Sequence, residues 1–276
     1  MNEDQKEYWN ADAGDFWAKE ADTLDGILEP FLQPVLSGLN GSEPTALLDI
    51  GCGAGALTLA AKEAFPAAQC TGLDVSHPML QVAKARAAAA GADVKFIEGD
   101  ATLAELDTLA DAMISRYGIM FFEDPVDAFT KLHALMRSGG RFSAVCWQEM
   151  PKNAWLAVPM MSAIPLLKEP PQPPDPHAPG PFAFADKARV LSIFKAAGWR
   201  DVSMERWHGK LRLPGSTLDE AGSFMTTLGP VASLIKEQEL DADPIKLAVM
   251  DAIKDECGAG GPFELDAASW IVTATA

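Results

Sequence analysis

Over residues 45–147 the chain alternates short apolar runs with longer stretches at helical spacing, the mark of a parallel sheet covered on both faces. Residues 45–50, 69–73, 94–98, 111–115 and 141–147 read as strands bounded by turn signals. Between them, 54–65, the alanine-rich run from Ser76 to Ala90, and 125–136 read as helices. Ser76 and Asp124 stand at N-cap positions, Pro78 is tolerated in a first turn, and Gly91 is a stop.

Beyond Trp147 the alternation breaks. Pro165, Pro170, Pro171, Pro173, Pro174, Pro176, Pro179 and Pro181 crowd residues 151–185, a density that excludes helix and central strand and predicts a stiff covering loop. Asp186 caps a further helix with Val190, Ile193, Phe194 and Ala197 on one face and Gly198 after it. Residues 202–213 and 269–275 read as last strands, with a mostly helical stretch at 218–253 between them. Ahead of the first strand, Tyr8, Trp9, Phe16 and Trp17, followed by Leu24, Ile27, Leu28, Phe31 and Leu32, predict one or two amphipathic helices.

The chemistry gathers in LLDIGCGAGALTL, residues 47–59. Gly51, Gly53 and Gly55 let the chain turn tightly and let main-chain N–H groups approach a ligand, and the helix they open points its positive end there. Gly51, Gly53 and Ala56 also satisfy the looser dinucleotide fingerprint, so the turn alone leaves the ligand open. Asp74 closes the second strand, where its carboxylate can accept from both hydroxyls of a ribose; that locates an adenosine without naming the cofactor. Asp49 ahead of the first glycine and a second acidic strand end at Asp100 pull away from a dinucleotide fold.

Taken in order, LLDIGCGAGALTL, CTGLDVSHPML, VKFIEGDAT and DAMISRYGIMFFEDP resemble the motif set of class I S-adenosylmethionine-dependent methyltransferases, in the small-molecule branch similar to the ubiquinone and menaquinone biosynthesis enzymes. The resemblance is firm over about residues 44–147 and loose elsewhere. It implies an α/β fold: a Rossmann-like, seven-stranded, mostly parallel sheet with helices on both faces and helical cap insertions. It divides the chain into an N-terminal helical lid (1–43), a cofactor-binding core (44–150), a Pro-rich cover (151–185), a core helix and strand (186–217), a helical cap insertion (218–262) and a final strand (263–276). The cofactor would be S-adenosyl-L-methionine. Its methionine end would meet Asp49, Gly51, Cys52, Gly53, Gly55 and Ser115, with Arg116 nearby. Its ribose and adenine would meet Asp74, Val75, Met79, Asp100 and Ala101. Met79 is as often core at such a position, and Asp100 can instead cap the turn that follows it.

Composition narrows the partners. A formal charge of -17 with no Lys/Arg run argues against nucleic acid and anionic membrane surfaces. No apolar stretch is long enough to span a bilayer, and the polar, acidic MNEDQKEYWN start lacks a signal-peptide core. Cys52, Cys70, Cys146 and Cys257 show no C-x-x-C spacing and read as reduced thiols of a cytoplasmic protein, with no metal site. The acceptor side is less legible. Trp17, Tyr117, Trp147 and Gln148 are candidates to line it, and His208 and Tyr117 are candidates for a base. The expected function is methyl transfer to a small molecule, catalysed mainly by positioning. The rivals are an NAD(P)-dependent oxidoreductase, for which neither Tyr8 nor Tyr117 has the Lys four residues on, and a non-catalytic S-adenosylmethionine-binding regulator.

Overall fold

The computed structural model describes residues 3–171, 175–227 and 229–276. Pro173 and Pro174 of the proline-rich segment, and Leu228 of the last helical stretch, lie outside the described residues. The N-terminal part, expected as one or two helices, folds as four short ones: α1 (Glu3–Asn10), α2 (Asp12–Lys19), α3 (Ala21–Leu28) and α4 (Leu32–Ser37). Their apolar positions differ in use. α1 buries no residue and α2 only Gly14, whereas Leu24, Ile27, Leu28, Phe31, Val35 and Leu36 are core.

The parallel core follows in chain order: β1 (Ala46–Ile50), α5 (Ala56–Ala64), β2 (Gln69–Asp74), α6 (His77–Ala90), β3 (Val94–Glu98), β4 (Ala110–Arg116), α7 (Pro125–Ala134) and β5 (Met136–Trp147). After it come α8 (Ala154–Ala163), α9 (Lys187–Ala196), β6 (Arg200–Arg212), α10 (Leu218–Thr227), α11 (Gly229–Glu237), α12 (Ala242–Cys257) and β7 (Glu264–Thr275). Among the described residues seven strands form one sheet, in the order β3-β2-β1-β4-β5-β7-β6. The neighbours from β3 through β5 pair in parallel, and β7 pairs antiparallel with β5. The central strands are apolar on both faces because helices cover both, and Leu47, Leu48 and Ile50 are all buried.

Three expectations are corrected. β5 begins at Met136 rather than at residue 141: Met136 already pairs with Ala110, and a register shift between Ala110 and Ala112 absorbs Gly139, whose φ is +82°. β7 begins at Glu264, five residues before the expected start at Ser269. The exclusion of helix from 151–185 fails for α8, which holds Pro159 in its interior. Apart from Pro151 the other prolines of the segment follow that helix, and burial of Trp155, Leu156, Met160 and Ala163 outweighs the one N–H that Pro159 removes.

Spatially the chain divides into two compact units. One comprises residues 1–147, 177–207 and 269–276; the other comprises 148–176 and 208–268. The second is built on α8, α10 and α12, with Asn153 as its internal tie. This fully buried side chain donates to Gln148 O (3.1 Å) and Glu149 O (3.2 Å) and accepts from Ala268 N–H (3.0 Å).

Candidate active site

In the first unit the chain steps from β1 outward to β2 and β3, then returns to place β4 on the other side of β1. The carboxyl ends of β1 and β4 are therefore the topological switch point, where open α/β sheets leave a crevice. Gly51, Gly53 and Gly55 leave β1 there, all at positive φ (65°, 53° and 83°), which side chains with a Cβ rarely adopt. Gly118 meets them from β4. A Cβ on Gly51 would lie 2.7 Å from Gly118 Cα, and one on Gly118 would lie 2.6 Å from Ile50 O, so two backbones touch. Ser115 fixes this contact, donating through Oγ to Ile50 O (2.7 Å) and accepting from Gly118 N–H (3.2 Å).

Four of the turn's main-chain donors are engaged inside the fold rather than turned outward as expected. Gly51 and Cys52 N–H both donate to Leu73 O of β2 (2.8 and 3.2 Å), Gly53 N–H to Asp74 Oδ2 (2.7 Å) and Gly55 N–H to Cys52 O (2.9 Å). A pyrophosphate needs such donors free. With those four donors engaged inside the fold, the turn offers close backbone approach.

Two carboxylates flank it. Asp49 is fully buried on β1; Oδ2 accepts from Thr58 Oγ1 of α5 (2.6 Å), and Oδ1 has no hydrogen-bond partner among the described residues. Burial raises its pKa to about 7, against the lowering influence of the Thr58 hydrogen bond and of Arg116. Asp74 is half-buried, and its two oxygens accept one N–H each, from Gly53 and from Ser76 (2.8 Å). Each oxygen thus keeps acceptor capacity while the carboxylate is held in place. Desolvation raises its pKa, opposed by those backbone donors.

Other sequence candidates take up varied places. Asp100 does cap the turn after β3, accepting from Thr102 N–H at 2.8 Å, with Ala101 buried behind it. Met79 packs with Ala21 and Ala54 in a small cluster that Trp17 and Ala18 cover, and its Cε lies 2.8 Å from where a Gly53 Cβ would be. Val75 O accepts from Asn10 Nδ2 (2.9 Å), His77 N–H donates to Asn10 Oδ1 (2.9 Å) and Ser76 Oγ donates to Trp9 O (2.7 Å). The N-terminal helices are thereby pinned beside Asp74.

Past β4, Tyr117 holds a positive φ of 63°, unusual for a bulky residue, and stacks on Trp147 with ring centroids 4.0 Å apart. Phe31 packs edge-on to both rings. The Tyr117 hydroxyl lies 3.0 Å from Ser269 Oγ, and burial pushes its pKa well up, so it stays protonated at neutral pH and is a poor base. Gln148 and His208 belong to the other unit, where Gln148 is buried and His208 exposed. Sequence reasoning missed Thr58, Gly118 and Asp25. The first two become legible only when β4 is set beside β1, and Asp25 only when α3 is set against α6.

Residues 47–140 match the family model described as a methyltransferase domain. A demethylmenaquinone methyltransferase from Thermus thermophilus is 35% identical over 113 residues, 41% of this chain and 51% of that protein. A malonyl-[acyl-carrier protein] O-methyltransferase from Xylella fastidiosa is 33% identical over 118 residues, 42% of this chain and 40% of that protein. The chain thus spans about half or less of the curated relatives it matches. Among solved structures, phosphoethanolamine N-methyltransferase 2 of Haemonchus contortus, in complex with S-adenosyl-L-methionine, superposes with a TM-score of 0.59 at 14% identity, over 98% of this chain and 59% of that one. YcgJ from Bacillus subtilis superposes with a TM-score of 0.54 at 18% identity, over 90% and 97%. These two share the fold. Over residues 47–140 the chain is thus similar to a methyltransferase domain, and this is the part it shares with the demethylmenaquinone and malonyl-[acyl-carrier protein] methyltransferases.

Proposed function

We propose that this chain transfers a methyl group from S-adenosylmethionine to a small-molecule acceptor. The observation that carries the reading is the pair of carboxylates beside the glycine turn. A buried Asp49 with an unmatched oxygen fits an ammonium, and a half-open, backbone-held Asp74 fits two ribose hydroxyls. When bound, the cofactor supplies a methyl group already activated on a sulfonium.

The protein's part is then to hold reactants and exclude water. Asp49 Oδ1 takes the methionine ammonium, and Asp74 orients the ribose. Met79, Asp100 and Ala101 bound the adenine, and Trp17 covers it from the N-terminal helices. Tyr117 and Trp147 wall the acceptor side as rigid aromatic surface. The strong net negative charge favours a neutral or cationic acceptor over a polyanion. No helix of the described residues is long and apolar enough to cross a membrane.

Calorimetric titration of S-adenosylmethionine, S-adenosylhomocysteine and NADH into the protein and into Asp74→Ala tests the proposal. Dissociation constants of about 1–10 μM for the first two, roughly -7 to -8 kcal/mol, lost in the variant and absent for NADH, are the expected outcome. Binding of NADH alone would overturn it. A protein that binds the cofactor yet transfers no methyl to any acceptor offered would be the regulator of the rival reading.

A further inference from the structure

We propose that Asp25 is a positioning residue of the cofactor site, an ionic latch that holds the N-terminal helices on the glycine turn by bridging Arg86 and Arg116. The proposal deepens the reading above and rests on it for the identity of the ligand.

The geometry is specific. Asp25 Oδ2 accepts from Arg86 Nη1 (2.6 Å), and its Oδ1 accepts from Arg116 Nη2. Arg86 lies on α6 and Arg116 ends β4, so one carboxylate on α3 ties elements on both sides of the turn. Arg86 Nη1 also donates to Ala54 O within the turn itself (3.0 Å), and its Nη2 to Asp22 Oδ1 (2.5 Å). Arg116 Nη1 donates to Leu28 O at the end of α3 (3.3 Å). The Asp25, Arg86 and Arg116 side chains are 20%, 21% and 10% exposed, which makes these charge-assisted bonds stronger than rim pairs.

What the latch positions follows from its neighbours. Ala21, one helical turn before Asp25, packs on Ala54 and Met79, and Trp17 and Ala18 cover the same cluster. Fixing the first turn of α3 therefore fixes where α2 lies over Met79. α1 and α2 bury almost nothing of their own, so they belong to the part of the molecule that opens most cheaply. A groove of about 350 Å3, bordered by Asp22, Asp25, Glu63 and Arg86, gives solvent ions access to the bridge.

The test compares wild type with Asp25→Asn, Asp25→Glu and Arg86→Gln. Hydrogen exchange on ligand-free protein reads α1 and α2 directly and needs no cofactor. S-adenosylhomocysteine affinity is measured by calorimetry between about 10 and 150 mM salt, where the screening length falls from about 30 to about 8 Å. The expected result for Asp25→Asn is amide exchange in α1 and α2 and ligand dissociation each about tenfold faster, a loss of salt sensitivity, and a raised KM with kcat changed less than about twofold. Asp25→Glu restores part of this. Should Asp25→Asn fail to fold, Arg86→Gln on the partly exposed face of α6 is expected to show the same losses. Wild-type exchange and wild-type affinity at every salt concentration in a folded variant would overturn the proposal. Failure of the wild type to bind S-adenosylhomocysteine would overturn the functional reading alone.

Discussion

Desolvation is the largest influence on Asp49, carrying its pKa from 3.8 to about 7. An unfolded chain releases that proton near the lower value and the native state near the higher one. Between them the native state binds the additional proton, so this group's contribution to stability is greatest at the acid end, falls as pH rises through that window, and is flat above it. Ligand binding has the opposite sign, because an ammonium needs the ionised form. Asp49→Asn is therefore expected to gain roughly 1–3 kcal/mol of stability at about pH 8, where the wild type buries a charge. The same variant is expected to lose cofactor affinity and the rise in that affinity between about pH 6 and 8. Thermal melts and calorimetry on the same samples check both signs. A variant that gained affinity, or melted lower at alkaline pH, would contradict the placing of the ammonium on Asp49.

Among the elements, the contact of β1 with the turn after β4 is the least tolerant. A methyl at Gly118 would meet first the Ile50 carbonyl and the Gly51 backbone, neither of which can swing aside, and then Ser115 Oγ. Gly118→Ala is expected to cost roughly 2–4 kcal/mol in urea unfolding and to weaken the cofactor site with it. In the other unit, Asn153→Ala removes three hydrogen bonds and strands the buried Ala268 N–H, at an expected cost of about 2–3 kcal/mol by the same measurement. The parallel core was legible in the sequence because each strand is a short apolar run closed by a turn residue or an acid. β3 emerged as read, β1 and β2 differ by one residue at one end, and β4 by one residue at each end. Asp74 and the three glycines were legible for the same reason, since a strand end and a turn are local facts. The early start of β5 was hidden by Gly139 and Gly140, which signal a turn but here sit in a bulge. α8 was hidden by proline density, whose local penalty tertiary burial overrode. The direction of the Gly51, Cys52 and Gly53 donors was not readable, because their acceptors, Leu73 O and Asp74 Oδ2, belong to another strand.

For the molecule as a whole, a charge of -17 makes self-repulsion a global force on the fold, whereas the Asp25 bridge is attractive and local. Raising salt from about 10 to 150 mM should lift the melting temperature by a few degrees while loosening the N-terminal helices. Melting and site-resolved hydrogen exchange would move in opposite directions, and parallel movement would count against the latch. The thiols add a separate means of observation. Among the described residues no disulfide forms; Cys70 and Cys146 are buried in strands, and Cys257 is partly exposed. Cys52 sits inside the glycine turn, its sulfur 2.8 Å from where a Cβ on Gly72 would stand. Burial, then the charges of Asp74 and Asp49, push its pKa well up, so in place it is a poor nucleophile. A chromogenic disulfide reagent should therefore release one equivalent quickly from Cys257 and three slowly. The slow reaction of Cys52 works as a clock, ticking each time the turn lifts off β2, and a bound cofactor should slow it.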